Sequence, residues 1–102
     1  RGNDHGMALY GMVKQVLDEI ADLPNRMELG QDTALALLDA LNAHNVVDYW
    51  RNLDAMNQTR IALDHFLYDV VGTEHGVRLS TAQMDAIIDQ GMSLAKARGI
   101  NG

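Results

Sequence analysis

The chain has 102 residues, 47% of them hydrophobic, and this length and composition predict a single globular domain. It contains no cysteine, which excludes disulfides, thiolate metal sites and cysteine nucleophiles and is compatible with a cytoplasmic location. The net charge of −6 disfavours nucleic acid and anionic membranes as partners. The apolar runs are far shorter than a membrane span, so we expect no transmembrane segment.

The two ends of the chain are expected to lie outside the folded domain. Residues 1–6 precede the first methionine, Met7, and we interpret them as a disordered N-terminus or as residues introduced by cloning. Residues 100–102 follow the last predicted helix and are interpreted as a tail. A single helical domain is therefore predicted for residues 7–99.

Three helices are predicted in the first part of the chain from the spacing of apolar residues and from residues that begin or end helices. The first spans residues 7–23. The second spans residues 32–44, with Asp32 as its N-cap. The third is much longer, covers residues 46–71 and ends at Gly72 in the C′ position.

The fourth helix has the strongest start signal in the chain. Ser80 as N-cap and Gln83 three residues later predict a capping box. The helix is predicted to end near Ala97, before Gly99. With no strand pattern of any length, the predicted fold class is all-α, a single domain resembling a four-helix bundle with one long third helix.

Two features predict a homodimer. The apolar residues of the third helix, with Leu53 and Tyr68 assigned to its apolar face, cover close to half of its circumference. This is more than three short helices are expected to bury. Gly91 and Ala95 lie on the apolar face of the fourth helix, where small residues let another helix approach closely. We expect a close helix crossing there, either within the bundle or across a dimer interface.

Polar residues of the third helix are the candidate ligand-binding or interface residues. Asn57, Arg60 and Asp64 are three and four residues apart, so they are neighbours on the helix surface, and they point in the same direction as the apolar arc. They form either a structural lock, in which Arg60 pairs with Asp64 in the core or a subunit interface, or the floor of a ligand pocket. Trp50 and His65 would border such a pocket.

Arg60 and His65 also form the spacing R-x4-H, which resembles the signature of HEPN-domain ribonucleases. That resemblance implies an all-helical dimer that cleaves RNA with these two side chains. Ile61, which follows the arginine, departs from the polar residue usual at that position, and the acidic charge of the chain disfavours an RNA substrate.

No metal, cofactor or catalytic site is predicted. The four histidines do not form the Glu-x-x-His pairs that bind metals in helical bundles. We therefore interpret the chain as a small acidic helical protein that acts by protein–protein interaction, as an adaptor, an inhibitor or an immunity- or antitoxin-like regulator. The alternative is a ligand-binding or hydrolytic helical bundle with its polar site on the third helix, the HEPN-like ribonuclease being one case.

Overall fold

Every regular element in the described part of the chain is helical. The computed structural model describes residues 2–102, with side chains from Asp4 onward, so Arg1 lies outside the described residues. The chain order of the four α-helices is α1 (Gly2–Leu17), α2 (Arg26–Ala43), α3 (Leu53–His65) and α4 (Thr81–Ala97). Since residues 2–102 contain no strand, the predicted all-α class is confirmed for them.

The first helix lies nearer the N-terminus than predicted. It begins at Gly2 rather than Met7, so residues that were expected to be disordered continue the helix. It also ends earlier, at Leu17. The guanidinium of Arg26 donates hydrogen bonds to the carbonyl oxygens of Leu17 and Ile20, at 2.5 and 2.9 Å. The Leu17 carbonyl, at the end of α1, also accepts a hydrogen bond from the Ile20 N–H at 3.0 Å, so Arg26 adds side-chain bonds to this turn from the start of the next helix.

The second helix begins six residues before its predicted start. Asn25, in the left-handed conformation with φ 50°, precedes α2, and Asp32 lies inside the helix instead of capping it. The prediction of Asp32 as an N-cap is therefore wrong. Its carboxylate instead contacts His75, with 2.9 Å between the carboxylate oxygen and Nε2.

The third helix begins later than predicted, because the residues before it form a loop and a 3-10 turn (Tyr49–Arg51). Asn52 is its N-cap, and the Asn52 side chain accepts a hydrogen bond from the backbone N–H of Ala55 at 3.0 Å. Residues 46–52 therefore do not extend the helix. Leu53, which was assigned to the apolar face, is 74% exposed.

A π-helix (Phe66–His75) continues α3 without a break, so 13 residues of α-helix lead into 10 of π-helix. In a π-helix each N–H bonds to the carbonyl five residues earlier, so each turn holds about one more residue than an α-helical turn. The helical segment ends at Gly76, whose φ is 64°. The prediction that Gly72 ends the helix is therefore wrong, and Gly76 takes the left-handed conformation that glycine favours.

The fourth helix follows its predicted boundaries. The Ser80 Oγ accepts a hydrogen bond from the Gln83 N–H at 3.1 Å, and the Gln83 side chain accepts one from the Ser80 N–H at 2.8 Å. This reciprocal pair confirms the predicted capping box. The helix ends at Ala97, and Gly99 adopts a φ of 76° just beyond it.

Small residues bring the helices close together inside a single chain. A Cβ added to Gly91 of α4 would lie 2.8 Å from the Leu37 side chain of α2 and 3.3 Å from Met12 of α1. Ala95, one turn further along α4, is fully buried. The close crossing expected at these two positions therefore lies within the bundle, which leaves neither residue available to a dimer interface.

Two sets of hydrogen bonds attach the loop before α3 to the rest of the bundle. Tyr49 is fully buried, and its hydroxyl donates to the Thr59 hydroxyl at 2.5 Å. Burial raises the pKa of Tyr49 above its usual value, and the hydrogen bond to Thr59 opposes that shift. The Trp50 indole N–H donates to the carbonyl of Ile100 at 2.6 Å. Asn101 donates to the carbonyl of Leu41 at 2.8 Å, so the last residues pack on the bundle.

Candidate binding surface

Three of the predicted site residues, Asn57, Arg60 and Asp64, border one shallow depression between α3 and α4. They lie at the surface, since Asn57 and Asp64 are exposed and the Arg60 side chain is 40% exposed. Arg60 pairs with Asp89 of α4, so the predicted pairing with Asp64 inside the core is wrong. A pair this exposed contributes no more than about 1 kcal/mol.

The other two predicted residues lie elsewhere. Trp50 packs edge-on against Tyr49, with ring centroids 4.7 Å apart. Its indole N–H donates a hydrogen bond to the carbonyl of Ile100. His65 is exposed and pairs with Asp69 one turn along the same helix, at 3.0 Å. Because Arg60 contacts α4 and His65 contacts only its own helix, these two side chains do not meet in one site.

A different surface has the features of a binding site. A groove of ≈ 520 Å³ runs between α2 and α3 and continues along the π-helix. Its floor is apolar and consists of Ala36, Ala40, Ala43, Ala62, Phe66 and Val70. Its border carries the carboxylates of Asp32, Asp39 and Glu74. We call this surface the acidic groove.

The acidic groove is open because short side chains line the α2 wall. Its three alanines lie at positions i, i+4 and i+7 of α2, which places them along one side of the helix. Phe66 and Val70 face them from the π-helix and are each only partly buried. The core side of this second wall is instead formed by Leu67 and Val71, both almost fully buried. The floor therefore remains apolar and accessible in the isolated chain.

Unpaired negative charge borders the acidic groove. Asp39 and Glu74 are exposed, and neither forms an ion pair with any basic side chain that the structure describes. Asp32 contacts His75, whose side chain is 5% exposed, and this contact joins the first half of α2 to the end of the π-helix. His44 lies at the opposite end. Among the described residues, no lysine or arginine lines the groove.

A second groove lies on the adjacent side of α2 and shares Leu35 with the acidic groove. It has a volume of ≈ 370 Å³, lies between α1 and α2, and is lined by Gly6, Met7, Tyr10, Gln31, Ala34 and Leu35. All six residues are uncharged, so we call it the neutral groove. Large apolar side chains are open to water on this side, with Met7 72% and Leu35 58% exposed. Met27, two turns before Leu35 on α2, is 64% exposed.

The residues of the acidic groove were not predicted from the sequence. The spacing of Ala36, Ala40 and Ala43, with Asp32 and Asp39 beside them, is a signal for a helix face with a small-residue row and an acidic edge. Alanine is compatible with buried and exposed positions alike, so this signal does not distinguish an open groove from a filled interface.

Comparison with family models, with curated proteins and with solved structures finds no match to this chain. Function must therefore be argued from the surface itself. Within residues 2–102, none of the helices combines the length and the apolar content needed to cross a membrane. The described side chains also contain no group of three or more His, Asp or Glu that could hold a metal ion.

Proposed function

We propose that this chain acts by protein–protein contact, as an adaptor, an inhibitor or an immunity- or antitoxin-like regulator, and that the acidic groove is its contact surface. The observation that carries this proposal is the open apolar floor between α2 and α3, bordered by three carboxylates. Burying an exposed apolar groove against a partner is favourable, and grooves between helices are common docking sites for protein segments.

We also propose that two copies of the chain associate through the neutral groove. Met7, Met27 and Leu35 supply apolar area on this side of the molecule. Because no charged residue lines the neutral groove, two copies can meet there without repulsion between like charges. The acidic groove is unsuited to self-association, since its carboxylates would face identical carboxylates.

The proposed contact surface is tested by filling the acidic groove. Ala36→Trp places a large ring on its floor, and Ala82→Trp, at an exposed position of α4 outside both grooves, is the matched control. Both variants are first compared with wild type in thermal unfolding. Affinity capture from the lysate of the source cells, with quantitative mass spectrometry, then compares the proteins retained by each.

A partner retained by wild type and by Ala82→Trp but lost with Ala36→Trp would support the proposal. The same set of proteins retained by all three forms would contradict it, since binding would then not require the acidic groove. A fully folded Ala36→Trp is required for either conclusion. If that variant unfolds, Ala43→Trp replaces it, because Ala43 is an exposed residue of the same floor.

A further inference from the structure

Building on the proposed role of the acidic groove, we infer that its occupant is an amphipathic helix whose apolar stripe is flanked by lysine or arginine. The inference combines three properties of the groove: its two helical walls, its length and its charge. The walls and the charge each exclude a class of occupant, and the length sets the number of apolar anchors.

The walls favour a helix over an extended peptide. An extended peptide binds by adding a strand to a sheet edge, where backbone N–H and C=O groups are unpaired, or as a polyproline segment in a groove lined by aromatic side chains. Phe66 is the one Phe, Tyr or Trp among the described residues that line this groove. Both walls here are helices whose backbone groups bond within the helix, and residues 2–102 contain no strand. The groove therefore offers side-chain contacts alone, which suit the apolar face of a helix.

The length sets the number of anchors. Ala36 to Ala43 covers eight residues of α2, and the seven steps between them span about 10 Å along the helix axis. The facing wall has a similar length, since it extends from Ala62 past Phe66 to Val70. This distance is about two turns of a helix. The occupant therefore needs apolar residues at i, i+3 or i+4, and i+7, the usual spacing of a helix bound in a groove.

The charge selects a basic occupant. The exposed carboxylates of Asp39 and Glu74 attract lysine and arginine on either side of an apolar stripe. The same carboxylates repel phosphate backbones, anionic lipids and a second copy of this groove. A divalent cation is also disfavoured, since no group of three potential ligands exists among the described side chains.

A defined probe tests this inference without a natural partner. The probe is a synthetic amphipathic peptide of about 14 residues, close to four helical turns, with leucines at i, i+3, i+4 and i+7 and lysines elsewhere. Its twin carries glutamate at every lysine position and keeps the same apolar stripe. Protein labelled with ¹³C at the alanine methyl groups reports where each peptide binds in NMR titrations.

The basic peptide should shift the methyl signals of Ala36, Ala40, Ala43 and Ala62 and leave those of Ala82 and Ala97 unchanged. The acidic twin should not bind at concentrations that saturate the basic peptide, since its charges would face the carboxylates of the groove. Equal binding of both peptides, or shifts centred outside the four groove alanines, would overturn the inference.

A pair of charge-neutralising variants gives a matched comparison. Asp39→Asn with Glu74→Gln removes two charges from the groove, and Glu19→Gln with Asp22→Asn removes two from the connection after α1. Both variants change the net charge from −6 to −4. The groove variant should bind the basic peptide roughly tenfold more weakly, and the control less than about twofold. Equal weakening would mean that net charge alone governs binding.

Failure of this inference can be told apart from failure of the proposed function. If Ala36→Trp loses a captured partner but the basic peptide does not bind, the groove is a contact surface for a partner of different chemistry. If capture does not depend on the groove but the basic peptide binds to its four alanines, the groove chemistry is right and the proposed function is wrong.

Discussion

The acidic groove and the neutral groove share one helix and differ in charge. α2 forms a wall of both, and Leu35 lies where they meet. Both floors are rich in apolar side chains, so apolar burial favours binding at either one. The carboxylates of Asp32, Asp39 and Glu74 border only the acidic groove. Comparing the two suggests that apolar area makes a surface able to bind, and that charge then decides whether the partner is a second copy or a basic protein.

The largest effect is expected from reversing the charge of the acidic groove. Asp39→Lys with Glu74→Lys should weaken binding of the basic peptide on the order of hundredfold, because two attractions become two repulsions. The acidic twin should now bind. Fluorescence anisotropy with labelled peptides measures both affinities.

The control for charge reversal is Glu19→Lys with Asp22→Lys, which changes the net charge equally but lies outside both grooves. It should change the affinity for the basic peptide by less than about threefold, mostly through long-range attraction that salt screens. A loss as large as that of the groove variant would show that the two grooves do not differ in the way proposed.

Self-association should depend on the neutral groove. Wild type is expected to sediment with twice the monomer mass of 11.2 kDa. Met7→Glu with Met27→Glu should weaken the dimer by at least about tenfold, because like charges would meet across the two-fold axis. Val47→Glu, at an 88% exposed position outside both grooves, is the control. A wild-type mass near that of the monomer at micromolar concentration would refute the dimer.

Raising the pH should lower the free energy of unfolding through Tyr49, whose hydroxyl bonds to Thr59 of α3. Its pKa is raised by burial, so the folded state keeps the phenol proton at a pH where the unfolded state loses it. The resulting stability is present below the unfolded pKa, about 10. Between the unfolded and the folded pKa of Tyr49, the free energy of unfolding falls by at most about 1.4 kcal/mol per pH unit. Urea unfolding at neutral and alkaline pH measures this loss.

Tyr49→Phe separates the phenol from other alkaline effects. This substitution should lower the free energy of unfolding by about 1 kcal/mol at neutral pH, because the hydrogen bond to Thr59 is lost. The difference in free energy of unfolding between wild type and the variant should become smaller above pH about 10, because phenylalanine has no proton to lose. Tyr68→Phe, at a 52% exposed position, should follow wild type. A Tyr49→Phe variant with the alkaline slope of wild type would refute the role assigned to this phenol.

The smallest effect separates stability from binding. Ser80→Ala should destabilise the chain by about 1 kcal/mol, because the Gln83 N–H loses its capping partner. α4 lines neither groove, so peptide affinity and self-association of the folded protein should not change. Ser93→Ala, at an exposed position inside the same helix, is the control. An unchanged urea midpoint in Ser80→Ala would mean that the cap does not stabilise this helix.

The sequence predicted best the features that depend on neighbouring residues. The capping box of Ser80 and Gln83 and the end of α4 before Gly99 are local, and the structure has both. The start of α2 was predicted wrongly because the interactions of Arg26 and Asp32 are not local. Arg26 bonds the end of α1, and Asp32 contacts His75, 43 residues away along the chain.

The π-helix explains the differences in the last part of the third helix, from Phe66 onward. Apolar spacing predicts that a segment is helical but not whether its hydrogen bonds span four residues or five, because packing decides between the two. The faces of the helix were assigned with α-helical spacing throughout. As a result Tyr68 was placed on the apolar face, although it is 52% exposed. The fully buried Thr59 lies in α3, before the π-helix, and was missed because its partner, the Tyr49 hydroxyl, lies outside the helix.

The bond from Trp50 to Ile100 gives the molecule a built-in optical reporter. The chain has one tryptophan, Trp50, which lies in the 3-10 turn that precedes α3 and donates its indole N–H to the carbonyl of Ile100. Tryptophan fluorescence, excited selectively over that of the three tyrosines, therefore comes from a single place, where residues 100–102 meet the loop between α2 and α3. Release of residues 100–102 would expose the indole to water and move its emission to longer wavelength, so detachment of these residues can be followed without any added label.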